Sequence, residues 1–393
     1  MNRNRREGVT DSWTRADGTR SARWGRGKRW LVRWVDEGQE YSRSFDKKSE
    51  AGAYLSSLTT ARNTGRFVHD RAGRITIGDL WDQLASQSGH LSPKTLASRE
   101  TAYRVHVAPR WVAVQVGDVK VTAVRSWVTQ MANDGVGVPT IERAVGVLRG
   151  ICELAVDDKR VAANPVVNVK LPRREHADRN YLSVEQVDRL AEAVSFRPEV
   201  VRFLAFTGLR WGEMAALRVR DFDMLRRRID ISRSVTEVRG ALVWGTPKTH
   251  ERRSVPFPAA LAGDLSRLMV GKSRDDLVFS SDDNGVLRNT NWRPRVWNRA
   301  LAAVQADDPE FPTVSPHDLR HTAASLAISA GANVLALQRM LGHAKASMTL
   351  DTYSDLFDGD LDHVAGALDA KIAASRETTA GPLRDGGVNS MNA

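Results

Sequence analysis

The residues of this chain best suited to chemistry are cations and imidazoles at helix starts, together with one tyrosine late in the sequence. In Ser315-Pro-His-Asp-Leu-Arg-His-Thr322, Ser315 fits an N-cap, Pro316 the first helical position and Asp318 a capping-box acid, so a helix is expected to begin there. His317 and Arg320 are three apart and share a face beside that helix start, where backbone N–H groups and the dipole favour an anion such as a phosphate. A surface helix start carrying an unrelated His and Arg is the plainer alternative. In Phe206-Thr-Gly-Leu-Arg-Trp-Gly-Glu-Met-Ala-Ala216, Gly208 separates two apolar helices and Arg210 stands where the second begins. A cation there opposes the macrodipole unless an acid or an anion offsets it. Glu213 could orient the guanidinium, although a plain Arg210–Glu213 ion pair uses the same residues, and Trp211 reads as packing. Gly245-Thr-Pro-Lys-Thr-His-Glu-Arg-Arg253 reads as a short hairpin whose Lys248 would suit a mobile proton donor; a solvated basic turn is the alternative, and His250 is a weaker candidate. Leu341-Gly-His-Ala-Lys-Ala-Ser-Met-Thr-Leu-Asp-Thr-Tyr353 sets His343 behind a glycine and Tyr353 ten residues later, in a chain with 5 tyrosines. Tyr353 is either a core aromatic or a group that reacts.

These residues need elements to hold them. From Leu182 the pattern reads as helices, then short strands over Arg228–Val235, Ala241–Trp244 and Arg253–Phe257, then helices to about residue 374, the last over Phe357–Ala374. Nearer the N-terminus, Lys28–Val35 alternates Trp30, Val32 and Trp34 with Arg29, Leu31 and Arg33, and Tyr41–Phe45 alternates again, the period of a half-buried strand. A turn at Asp36–Gly38 and a helix over Lys48–Arg62 complete a small sheet packed by one helix. Helices follow over residues 76–170: one from Ser92-Pro93 to Tyr103, one over Thr122–Ala132, and one over Ile141–Val156 opened by Pro139-Thr140. The expected division is residues 1–65, with 1–20 a disordered basic arm; a linker at 66–75; a helical domain at 76–170; a charged linker at 171–180; a mixed, mainly helical domain with a small antiparallel sheet at 181–376; and a disordered tail at 377–393. The fold class is multidomain α+β.

Net charge is +11 over 393 residues, and residues 1–30 carry eight Arg and one Lys against Glu7, Asp11 and Asp17, a local +6. Such an excess suits a polyanionic partner. Arg23, Lys28, Arg29, Arg33 and Arg43 are the candidate DNA-binding cations of this region, with Trp30 and Trp34 serving either a DNA groove or the core. The single Cys152 lies in an apolar helical pattern and reads as a small buried hydrophobe, so no disulfide framework is expected. No apolar run reaches membrane-spanning length, which leads to the expectation of a soluble protein in the bacterial cytoplasm. Neither a Gly-rich phosphate loop nor a compact metal-ligand cluster is legible; Gly25-Arg-Gly27 lacks the helix and Lys-Ser pair that a phosphate loop needs.

Taken together, Arg210 in TGLRWGE, Lys248, His317 and Arg320 in HDLRHT, His343 in LGH and Tyr353 in TLDTY resemble, in order and rough spacing, the tyrosine recombinases of the phage-integrase family. The resemblance covers residues 180–365. Residues 76–170 are more loosely similar to that family's core-type DNA-binding domain, and residues 1–65 to the arm-type domain of bipartite phage integrases. The Arg/Ala/Val-rich composition hints at an actinobacterial phage or integrated element. The resemblance implies that Tyr353 is the nucleophile forming a 3′-phosphotyrosyl bond, that Arg210 and Arg320 clamp the phosphate, and that Lys248 protonates the departing 5′-oxygen. It further implies His317 as general acid or base, in preference to His321, and His343 as a hydrogen-bond donor to the phosphate. Two-pronged guanidinium contacts fit a phosphodiester that gains charge in the transition state, and a phenol must lose its proton to attack. One phosphoester replaces another, so neither ATP nor a metal or other cofactor is expected. Implied partners are double-stranded DNA with core-type and arm-type sites, three further copies of the chain on DNA, an excision factor and a DNA-bending host protein. The competing expectations are a type IB topoisomerase-like relaxing enzyme and an inactive DNA-binding regulator.

Overall fold

The computed structural model describes residues 7–36, 39–63, 68, 72–174, 180–247, 252–353, 368–369 and 371–372. The chain divides into two compact units, Met1–Glu175 and His176–Ala393. In the first unit, β1 (Gly8–Asp11), β2 (Trp30–Asp36) and β3 (Gln39–Phe45) form an antiparallel sheet in the order β1-β2-β3, packed by α1 (Lys48–Asn63). The alternation read in β2 decides the packing: Val32 and Trp34 are buried with Ala51 and Leu58 of α1, while Arg33 stays exposed. The arm expected to be disordered over residues 1–20 is a strand from Gly8, because Val9 pairs with Val32 and joins that core. Four residues of local pattern are too few to announce a strand that β2 templates. Residues 1–6, like the turn at 37–38, lie outside the described residues.

The rest of the first unit is helical: α2 (Ile77–Ser86), α3 (Pro93–Ala102), α4 (Ala108–Trp111), α5 (Val121–Asn133) and α6 (Val138–Asp157). A capping box between Thr76 and Asp79 starts α2, and Ser92 with Pro93 starts α3 as the sequence predicts. The α3 helix runs through a π turn, Tyr103–Val107, into α4. The buried stripe of α6, Ile141, Val145, Leu148, Ile151, Cys152 and Ala155, is the spine of this core. Burial pushes the Cys152 thiol up to about 12, which makes it unreactive.

The second unit contains α7 (Val184–Ala193), α8 (Glu199–Thr207), α9 (Trp211–Met214), β4 (Phe222–Asp223), β5 (Arg228–Ile231), β6 (Ser234–Val238), β7 (Ala241–Gly245) and β8 (Arg253–Pro256). The helices α10 (Ala262–Met269), α11 (Asn289–Trp292), α12 (Asn298–Asp307), α13 (Asp318–Ser329), α14 (Val334–Leu341) and α15 (Ala346–Tyr353) follow. The strands expected as one small sheet form two: β4-β5-β8 and the pair β6-β7. The stretch 228–235 breaks into β5 and β6, and β7 pairs with β6 while β8 pairs with β5, so the two strands expected to flank a hairpin do not pair with each other. Lys248 and His250 themselves lie outside the described residues, as do residues 175–179 of the linker expected at 171–180, the tail 377–393 and most of the helix expected over 357–374. Phe203, Leu204, Phe279 and Trp297 centre the core. Among the described residues no helix is long and apolar enough to cross a membrane.

Candidate active site

The α14 helix ends at Leu341, with Gly342 in the left-handed conformation as its cap, and its last carbonyls collect three guanidinium groups. Arg320, on α13, donates from one terminal nitrogen to Leu341 O at 2.6 Å and from the other to Gly208 O at 2.6 Å. Arg253 Nε donates to Met340 O at 3.3 Å and an Arg210 nitrogen to Gly342 O at 3.4 Å. A helix C-terminus is a natural seat for cations because its carbonyls lack helical partners and carry the negative end of the dipole. Side chains pack closely on both glycines here. A Cβ on Gly208 would lie 2.7 Å from Leu341 Cδ2, and one on Gly342 would lie 2.9 Å from the Arg253 guanidinium carbon. Both positions also have positive φ, which favours glycine there.

Glu213, 1% exposed, ties two of these cations together. Arg253 donates to its two oxygens at 3.1 and 2.6 Å, and Arg210 donates to it from the side chain at 3.0 Å and from the backbone N–H at 3.1 Å. Burial pushes the Glu213 carboxyl up, but the hydrogen bonds and charge of Arg253, with Arg210, outweigh it and hold the group below the usual carboxylate range. The expected partnership of Glu213 with Arg210 is present, and Arg253 was not among the expected site residues. Its signal was parity: Arg253 and Val255 stand two apart in β8, so the strand that buries Val255 turns Arg253 to the same inner face, opposite Ile231.

Arg320 is 4% exposed, so it lies under the surface rather than on an open helix start. Burial, then the neighbouring Arg210, lowers its guanidinium to about 9, still charged at neutral pH. The helix start itself sits later than Ser315 suggests. Asp318 is the first helical residue, its carboxylate accepts the Ser315 N–H at 2.7 Å, and His317 occupies the cap position. Burial and then Arg320 lower His317, and burial and then Arg320 lower His343 to about 4, so both rings are neutral at neutral pH. His343 Nδ1 is 2.9 Å from Thr349 Oγ1, which aims its ring.

Tyr353 closes α15 and is 1% exposed, packed with Ala324, Ile328, Leu337 and Leu341 beside Tyr181. Its hydroxyl meets Nδ1 of His321 at 2.9 Å. It is therefore a core aromatic whose polar end faces the site. The His317 ring stands edge-on to His321 with centroids 5.7 Å apart. Arg210, Glu213, His317, Arg320, His343 and Tyr353 are thus brought together from stretches far apart in sequence, and His321 joins them.

The five N-terminal cations do not share a face. Arg43 stands opposite Val32 in the register, on the α1 side, with its guanidinium 4.9 Å from the Tyr54 ring centre, whereas Arg33 projects to the other side, near Glu40. Arg29 makes a two-nitrogen contact with Asp11 Oδ2, Lys28 lies 3.5 Å from Asp46, and Arg23 is exposed in the turn before β2. Trp30 and Trp34 belong to the α1 core cluster.

Residues 180–359 match the phage integrase family. Across most of its length the chain is similar to the prophage phiRv2 integrase of Mycobacterium tuberculosis, 26% identical over 369 residues that cover 89% of this chain and 94% of the relative. It is also similar to the integrase of Mycobacterium phage D29, 27% identical over 80% of this chain and 86% of that one. The fold is shared with the Tn1549 transposon integrase in complex with a circular intermediate DNA, with a TM-score of 0.66 and 20% identity over 74% of this chain and 99% of that one. It is shared as well with the lambda integrase tetramer bound to a Holliday junction, with a TM-score of 0.56 and 14% identity over 81% and 93%. Residues 180–359 therefore form a phage integrase family domain, in a chain similar over most of its length to integrases of phages and prophages.

Proposed function

We propose that the chain is a site-specific DNA recombinase that cuts and rejoins double-stranded DNA through a 3′-phosphotyrosyl intermediate, integrating and excising a phage or mobile element. One observation carries the reading. A tyrosine hydroxyl ends up in the field of Arg320, whose guanidinium is fixed by two carbonyls, while a second arginine, Arg210, is held partly exposed by Glu213. A cation fixed before substrate arrives stabilises charge that develops on phosphate oxygens without reorganising at the moment of reaction. In this reading Arg210 and Arg320 bind the non-bridging oxygens and Tyr353 attacks phosphorus. Lys248 protonates the departing 5′-oxygen. His343, neutral, donates a hydrogen bond to the phosphate, and His317 acts as general acid or base.

The assembly that fits is four copies on core-type DNA, with residues 1–65 on arm-type sites, and with an excision factor and a DNA-bending protein as accessories. Residues 76–170 serve as the core-binding domain and residues 181–376 as the catalytic one. The test is a nicked DNA carrying the element's junction sequence, from which the short 5′-hydroxyl fragment diffuses away after cleavage. A covalent adduct at the 3′-phosphate end of the cleaved strand, formed without ATP and in the presence of chelator, is expected. No adduct from the wild-type chain on that DNA would remove the proposed chemistry.

A further inference from the structure

Resting on the recombinase reading above, we propose that His321 takes the phenolic proton of Tyr353 as the tyrosine attacks, and returns it when the phosphotyrosyl bond is resolved. The sequence motif favours His317 for proton transfer, but the geometry points one helical turn further on. His321 Nδ1 lies 2.9 Å from Tyr353 Oη, and the two ring centroids are 5.7 Å apart. A general base must be within hydrogen-bond reach of the proton it removes, and His321 meets that condition before any substrate is present. His317 caps α13 and stands edge-on to His321, with ring centroids 5.7 Å apart, and the ring whose nitrogen meets the hydroxyl of the nucleophile is that of His321.

The step balances. The Tyr353 Oη–P bond forms, the P–O5′ bond breaks, and its electron pair leaves on O5′, which is protonated by the donor assigned to Lys248. The phenolic proton passes to His321 Nδ1, leaving an imidazolium. In rejoining, a DNA 5′-hydroxyl attacks phosphorus, Tyr353 departs, and the imidazolium gives the proton back to Oη. The neighbouring charged and titratable groups are Arg320 from its own helix and His317 from its cap, Tyr353 from α15, and His343 from the loop before it, with Arg210 and Arg253 also acting on His343. Burial beside these arginines lowers His317 and holds His343 at about 4, so a loss of rate just below neutral pH does not originate with His343. Imidazole as a class exchanges protons near neutral pH, where such a base is most effective.

The experiment measures covalent adduct formation on the nicked junction DNA across the neutral range for the full-length wild-type chain, His321→Gln and His321→Ala, with DNA binding and melting temperature followed alongside. His321→Gln keeps a hydrogen-bonding group at the position but cannot serve as a base. Expected are unchanged DNA binding, a fall in adduct formation of about 10²–10⁴-fold and loss of the acid limb of the pH–rate profile, with added imidazole restoring part of the rate to His321→Ala. If His321→Gln cleaves near the wild-type rate, the assignment is wrong. It is equally wrong if the rate falls while the acid limb stays in place, since that is the mark of a packing role. Where His321→Ala does not fold, the His321→Gln profile decides alone. Absence of adduct from the wild-type chain would instead sink the recombinase reading itself.

Discussion

Arg253 and Glu213 meet side to side, two guanidinium nitrogens on two carboxylate oxygens at 3.1 and 2.6 Å, both side chains almost wholly out of water. That pair joins β8 to α9, and through Glu213 it fixes Arg210 at the start of that helix. Removing one partner of a buried pair strands the other's charge, so Glu213→Ala is expected to cost about 3–5 kcal/mol of stability and to slow cleavage by releasing Arg210. Arg253→Met in the same background removes one stranded charge and should recover part of the stability but not the cleavage. Denaturant titration beside adduct assays tests this, and a single Glu213→Ala variant as stable as wild type would contradict it.

Tyr353→Phe removes the reacting oxygen and its hydrogen bond to His321 while leaving the ring among Ala324, Ile328 and Leu341. We expect site-specific DNA binding to persist, stability to fall by only about 0.5–1.5 kcal/mol, and the covalent adduct to vanish. An adduct from this variant would move the nucleophile elsewhere, with Tyr181 and Tyr103 the next to test.

Arg320→Lys keeps a positive charge but cannot span the carbonyls of Gly208 and Leu341 and still present a nitrogen to phosphate. Cleavage should drop about 10²–10³-fold, the usual effect of losing a preorganised donor, with little change in DNA affinity. Arg210→Lys should behave likewise. Gel-based cleavage rates with binding isotherms check both, and near-wild-type cleavage by either variant would rule out its clamp role.

The depressed His343 predicts how stability depends on pH. Its folded value is about 4 against an ordinary 6.5, so between those values the unfolded chain binds the proton more readily. Stability from this group is therefore complete above about pH 6.5 and declines as pH falls toward 4. Melting temperatures measured at descending pH should fall less steeply for His343→Gln than for the wild-type chain. Parallel curves would show that His343 titrates normally.

Removing residues 1–65 should leave cleavage of the core site nearly intact, because the proposed catalytic residues begin at Arg210. Recombination between two sites should collapse, since arm-type and core-type DNA could no longer be bridged, and the lost arm-site affinity should have been steeply salt-dependent. Full recombination by the truncated chain would reduce this segment to an accessory.

The sequence by itself determined which residue types were available and which helices would carry them. Ser92-Pro93 and Gly208 are local signals, acting through a cap and a positive φ, and the helices they bound are where the pattern put them. The alternation of Trp30, Val32 and Trp34 was equally local, and so was the inner face of β2. What only the tertiary structure decided depends on partners distant in sequence. The strand at Gly8–Asp11 exists because β2 templates it, and the catalytic region holds two sheets because β8 pairs with β5 rather than β7. Arg253 reaches Glu213 across 40 residues and His321 reaches Tyr353 across 32, so their pairing appears only when packing sets α9 beside β8 and α13 beside α15. Local propensity acts over a turn or a strand, whereas a buried charge or a positioned proton is stabilised by whatever the fold brings within about 3 Å of it, the reach of a hydrogen bond.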